Sequence, residues 1–133
     1  MTVTRTSVNP WPWSLGYGFD QAQLVEGATR VLALSGQAAV DADGTPQHAG
    51  DVAAQLALSL DNLEAVLAEA DMALADVVRL TVCTTDVDET FRHYGVLAAR
   101  LGAAGARPTT TMLGVTRLAL PGLVVELEAT AVT

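Results

Sequence analysis

The chain has 133 residues, half of them hydrophobic, and a net charge of −8 from 15 acids against 7 bases, every base an arginine. That length suits one domain, residues 1–133, with a core that needs no disulfide or structural metal. An acidic surface without lysine or a basic stripe argues against nucleic acid as a partner and removes lysine Schiff-base chemistry, while no apolar run approaches the ~20 residues of a membrane span.

The opening segment MTVTRTSVNPWPWS lacks the apolar core of a signal peptide. A cytoplasmic protein with no membrane partner is therefore expected. Pro10 and Pro12 flank Trp11, and prolines this close disfavour a helix or a central strand, so residues 1–18 are expected to form an extended arm. Four of the six aromatic residues fall between Trp11 and Phe19. Trp11 and Trp13 either cap one end of the core or line a ligand pocket or subunit contact.

Ala22 to Glu26 and Arg30 to Leu34 are β-rich runs around Gly27-Ala28, which reads as a hairpin. The second run is apolar on both faces, as in a central strand, and ends at Ser35-Gly36, where a missing side chain allows close approach to the backbone. Asp51 is suited to cap a helix in which Val52, Leu56, Leu60, Leu63 and Leu67 share one face, with Gln55, Ser59 and Asn62 adjoining. Asp71 can take a left-handed position where that helix stops.

Val77 to Thr84 is dense in β-branched residues and is expected to be a strand. It carries the single cysteine, Cys83, which reads as a core or half-buried residue because no histidine lies near it in sequence to activate the thiol. One cysteine and two histidines provide no spaced ligand set, so neither a metal nor a cofactor is expected. Asp86 or Asp88 can cap a second helix to about Leu101, with Phe91, Tyr94, Leu97, Ala98 and Leu101 turned inward.

The stretch from Arg107 to Ala131 reads as two adjacent strands joined at Pro121-Gly122, a turn signal. In the first, Leu113 and Val115 alternate with Thr110, Met112 and Gly114; in the second, Val125, Leu127, Ala129 and Ala131 alternate with Glu126, Glu128 and Thr130. Carboxylates in mid-strand call for a reason. They belong either to a solvated face or to a cleft covered by another subunit.

The resulting order β-β-α-β-α-β-β makes a two-layer α+β domain with a mixed sheet and two helices on one face. The other sheet face then carries Met112, Val124 and two carboxylates, and self-association would cover it.

Ser35-Gly36-Gln37 after a strand, Gln55 and Asp61-Asn62-Leu63 on the first helix, Asp76-Val77-Val78, Thr85-Asp86, and the ending Val115 to Leu118 with Val125 to Ala129 follow in an order that resembles the YjgF/RidA family. The match runs from about Phe19 to the C-terminus. The resemblance implies a fold like the bacillus-type chorismate mutase, a homotrimer, and three clefts between subunits for a small-molecule metabolite. The best-known members hydrolyse enamines and imines, and an arginine in a Pro-x-Arg motif pairs with the substrate carboxylate.

Here that motif is Pro108-Thr109-Thr110, so Thr110 stands where the arginine would be. Met112 and Phe19 likewise replace the cysteine and tyrosine of those members. Glu126 matches the cleft glutamate that positions or activates water, Ser35 and Gly36 match the backbone around the ligand, and Tyr94 lies near a cleft position on the second helix. Arg107 is the nearest guanidinium that could substitute, although three extended residues separate it from Thr110 by ~10 Å. Two functions fit: a deaminase-like hydrolase of altered specificity with Glu126 as its catalytic residue, or a non-catalytic metabolite-binding trimer. Ribonuclease activity, sometimes attached to the family, fits the acidic charge poorly.

Overall fold

The longest element begins where the sequence places it. In the computed structural model, which describes residues 2–133, the Asp51 carboxylate accepts from the Ala54 backbone N–H at 3.0 Å and caps helix α1, Val52–Glu69. Such a cap satisfies one of the amide donors that the first turn leaves unpaired. The helix ends at Ala70, and Asp71 takes the left-handed conformation at φ 55°. Leu56, Leu60, Leu63 and Leu67 are all fully buried, each worth about 1.5–3 kcal/mol of transfer free energy.

These leucines pack on strands β3 (Val31–Ala38), β4 (Val77–Thr84) and β6 (Val125–Val132). Leu34, Leu80, Val82, Leu127, Ala129 and Ala131 form one core with Leu60, Leu63 and Leu67. Strand β5 (Thr109–Gly114) completes a mixed sheet of order β3-β6-β4-β5, in which β5 runs parallel to β4 and the other neighbours are antiparallel. Helices α2 (Val87–Arg92) and α3 (Tyr94–Ala103) lie on the same side as α1. Arg100 fastens α3 to α1 by reaching Asp61 and Glu64, both at 2.7 Å. The small α+β architecture with helices on one face of a mixed sheet is the one expected. Among the described residues no helix is long and apolar enough to cross a membrane.

Several local expectations are corrected. Residues 1–18 are not extended throughout: β1 (Thr4–Val8) pairs antiparallel with β2 (Ala22–Glu26), but Pro12–Tyr17 between them is a 3₁₀ turn. Pro12 sits in its first turn, where no amide donor is required, and Gly18 at φ 81° reverses the chain. Because β2 is taken by β1, it forms no hairpin with β3. Strand β3 is an edge strand rather than a central one, and Val31, which alternates with the core-facing Leu32 and Leu34, is 67% exposed on the face without helices.

The last two strands are not neighbours either. Strand β4 inserts between β5 and β6, so the Pro121-Gly122 segment belongs to a connection that crosses the end of β4. The register sets Thr110 beside Leu80 and Met112 beside Val82. Paired residues share a sheet face, so Thr110 and Met112 turn toward the helices, and Leu113 is the exposed one. The alternation along β6 is as expected. The second helix is broken at His93 between α2 and α3, ahead of Gly95, a poor helix former, and this leaves Phe91 half-exposed rather than inward.

One buried amide holds the crossing connection. Gln55, fully buried on α1, donates to the Gly122 carbonyl at 2.7 Å and the His48 carbonyl at 3.2 Å, and accepts from the Val124 N–H at 2.8 Å. Gln55→Leu strands these backbone groups without water. Urea unfolding of this variant is expected to show a loss of about 2–4 kcal/mol, since each orphaned buried group costs about 1–3 kcal/mol.

Candidate functional site

A cavity of about 390 Å³ opens between the N-terminal segment, the α2–α3 pair and β5. Trp13, Tyr17 and Phe19 form one wall. Trp13 meets Tyr17 edge-on at 6.4 Å and 75°, and Phe19 at 5.8 Å and 81°, both within the preferred range for ring pairs. Val87, Phe91 and Tyr94 form the facing wall, where Phe91 and Tyr94 are 6.1 Å apart. Thr110 and Met112 close the base.

Among the described residues no charged side chain lines this space. Burial pushes the Tyr94 phenol up from its ordinary value, so it stays a neutral hydroxyl able to donate. The Thr110 hydroxyl gives its proton to the Pro108 carbonyl at 3.0 Å. It can still accept.

Glu126 lies on the other side of the sheet. Its register partner on β4 is Cys83, which in turn faces Leu113 on β5, and these three mark the face without helices. Ser35 and Gly36 sit between the paired residues Leu34 and Gln37, in a β-bulge on β3. Bulges re-aim the chain locally. A Cβ on Gly36 would lie 1.8 Å from Glu126 Oε1, so the carboxylate is laid against bare backbone that only glycine provides. The Cys83 thiol is pushed up by burial and by the Glu128 and Glu126 charges. It remains protonated, in keeping with a half-buried strand residue.

Arg107 goes elsewhere. Its Nε donates to Asp20 Oδ1 at 2.8 Å and its Nη2 to the Ser7 hydroxyl at 3.3 Å, beside a separate polar cavity of about 430 Å³. Asp20 is 2% exposed and also receives Ser7 at 2.7 Å, Asn9 at 2.8 Å and Gln23 at 3.2 Å. Of the residues singled out from sequence, the structure thus gathers Phe19, Tyr94, Thr110 and Met112 at one cavity and Ser35, Gly36 and Glu126 at another place, with Arg107 in neither. Sequence reasoning left open whether Trp13 lines a pocket, and missed Tyr17, Val87, Phe91 and the Asp20 cluster. The crowding of aromatics near the N-terminus was the available signal for the wall; nothing local marked Asp20.

Comparison with known proteins places this arrangement in a family. The model for the endoribonuclease L-PSP family matches residues 19–133. The RutC family protein YjgH of Escherichia coli is 35% identical over 117 residues, covering 88% of each chain. A Rid-family protein of unknown function, YyfB from Yersinia pestis, superposes with a TM-score of 0.84 at 33% identity over the full length of both chains. Escherichia coli TdcF, solved with bound serine, superposes at 0.70 with 28% identity over 86% of this chain and 87% of that one. The chain belongs to the YjgF/RidA family.

Burial alone would raise the Asp20 pKa, but hydrogen bonds from Asn9, Ser7 and Gln23 together with the Arg107 charge outweigh it and hold the carboxyl below 3.8. A depressed folded-state value stabilises the fold above the unfolded pKa, and that contribution is lost as pH falls through the folded one. Asp20→Asn is therefore expected to flatten the loss of stability as the pH falls through and below the ordinary carboxylate range. Urea unfolding across that range checks it.

Proposed function

We propose that this protein hydrolyses a neutral enamine- or imine-type metabolite, releasing ammonia, with Glu126 directing the water, in clefts shared between the subunits of a homotrimer. One observation carries the reading: the Glu126 carboxylate lies over Gly36, where no side chain intervenes between it and the backbone. Within one chain the aromatic cavity and Glu126 belong to opposite faces of the sheet. A cleft holding both needs two copies. Exposed Leu113 and Val31 supply apolar surface for such contacts.

In this mechanism Glu126 takes a proton from water as its oxygen attacks the protonated C=N carbon. The carbinolamine then collapses: Glu126 returns its proton to the nitrogen, the C–N bond breaks as ammonia leaves, and the carboxylate takes up the remaining hydroxyl proton, which it passes to solvent, so that a neutral carbonyl remains. An enamine enters the same route after protonation at carbon. Backbone amides near Gly36 and the neutral Tyr94 hydroxyl can hold the polar atoms of the substrate. TdcF binds serine, a carboxylate; here Thr110 replaces the family arginine and Arg107 is engaged by Asp20, which favours a substrate without a carboxylate.

Glu126→Gln is expected to lower kcat for ammonia release by about 10²–10⁴-fold, the range of general acid–base groups, with KM little changed. Gly36→Ala should lower it too by displacing the carboxylate. Unchanged turnover in the Gln variant of every accepted substrate would overturn the mechanism, whereas no ammonia release by the unaltered protein would leave the second reading, a metabolite-binding protein, which the uncharged cavity also fits. Sedimentation equilibrium tests assembly: three chains of 13.8 kDa each are expected in one particle.

A further inference from the structure

Resting on the reading of the 390 Å³ cavity as the ligand site, we infer that its ligand carries a neutral aromatic ring, held between the Trp13–Phe19 wall and the Phe91–Tyr94 wall. Five of the chain's six aromatic residues line this one space. Aliphatic side chains would have met a demand for apolar volume alone. The ring contacts in the structure run within each wall, Trp13 to Tyr17 and Phe19 on one side and Phe91 to Tyr94 on the other. The space between is bounded by rings from both walls, and its volume falls in the ~300–1,000 Å³ range of small-molecule sites.

Trp13, Tyr17 and Phe91 are each more than half exposed, at 60%, 52% and 53%. Apolar rings left open to water around one concavity mark a surface awaiting cover. A planar ring covers both walls at once, with edge-on or offset contacts that add to plain area burial. Met112 at the base can adjust to ring shape and offers sulfur–aromatic contact.

Charge narrows the class further. A carboxylate would find no cation in the lining and would approach a protein of net charge −8. A cation would find no acid there either. The polar groups present, the Tyr94 hydroxyl and the accepting Thr110 oxygen, suit one neutral polar atom attached near the ring.

Isothermal titration of the full chain with acetophenone, methyl cyclohexyl ketone, phenylglyoxylate and phenyltrimethylammonium tests this. Acetophenone is expected to bind about three- to tenfold tighter than its cyclohexyl counterpart, the gain that one or two ring contacts supply, and tighter than either charged probe. Trp13→Leu and Phe91→Leu keep apolar volume at exposed positions and should erase that preference. Equal or better binding of the cyclohexyl ketone, tightest binding of the ammonium probe, or no binding of acetophenone overturns the inference. Measuring ammonia release by the unaltered protein beside the titration separates it from the proposed reaction: a ring preference with no ammonia release from any imine leaves this inference standing and the hydrolase falls, whereas turnover of aliphatic and aromatic imines alike does the reverse.

Discussion

A carboxylate removed from water must be compensated, and the way Asp20 is compensated organises the N-terminal part of this molecule. Its partners come from β1, from the segment after β1, from β2 and from the loop before β5. Gln23 reinforces the junction by donating to the Arg107 carbonyl at 2.8 Å, and Asn9 by accepting from the Gln21 amide. Breaking one member of such a set leaves a buried charge short of donors, which is costly. Phe19 is the neighbour of Asp20, and Trp13 and Tyr17 hang from the turn just before it. The network therefore positions one whole wall of the cavity, and it does so with the guanidinium that sequence alone offered as a substrate anchor.

Where local physics dominates, the sequence was a sufficient guide. The leucine face of α1, its Asp51 cap, the left-handed Asp71 and the alternation along β6 follow from periodicity and capping alone, and all are present. Pairing was less legible. Nothing in the residues of β5 and β6 says that β4 will lie between them, because strand order depends on which backbone edges find partners across the whole chain. The same holds for β2, which pairs backward to β1 rather than forward to β3.

The candidate site shows the same division. Glu126 was readable as a carboxylate within a strand, and Gly36 as bare backbone where the strand was expected to end, although β3 runs on to Ala38. Their close approach was not, since it depends on the bulge that shifts register between Leu34 and Gln37. Thr110 and Met112 were placed on the carboxylate side when alternation was read within each strand; the parallel register with β4 puts them on the helix side instead. That single reversal puts the residues of the expected cleft on opposite faces of the sheet within one chain.

The choice of cation on this surface has a chemical outcome of its own. Arg92, Arg100 and Arg107 are held in ion pairs with Glu89, with Asp61 and Glu64, and with Asp20, and no lysine occurs anywhere in the chain. Guanidinium groups stay protonated under all ordinary conditions, so they do not condense with aldehydes or ketones as a free ε-amine does. A protein whose proposed reaction turns imines into carbonyl compounds thus presents no side-chain amine for its own products to modify. Resistance to that form of self-inflicted ageing is built into its composition.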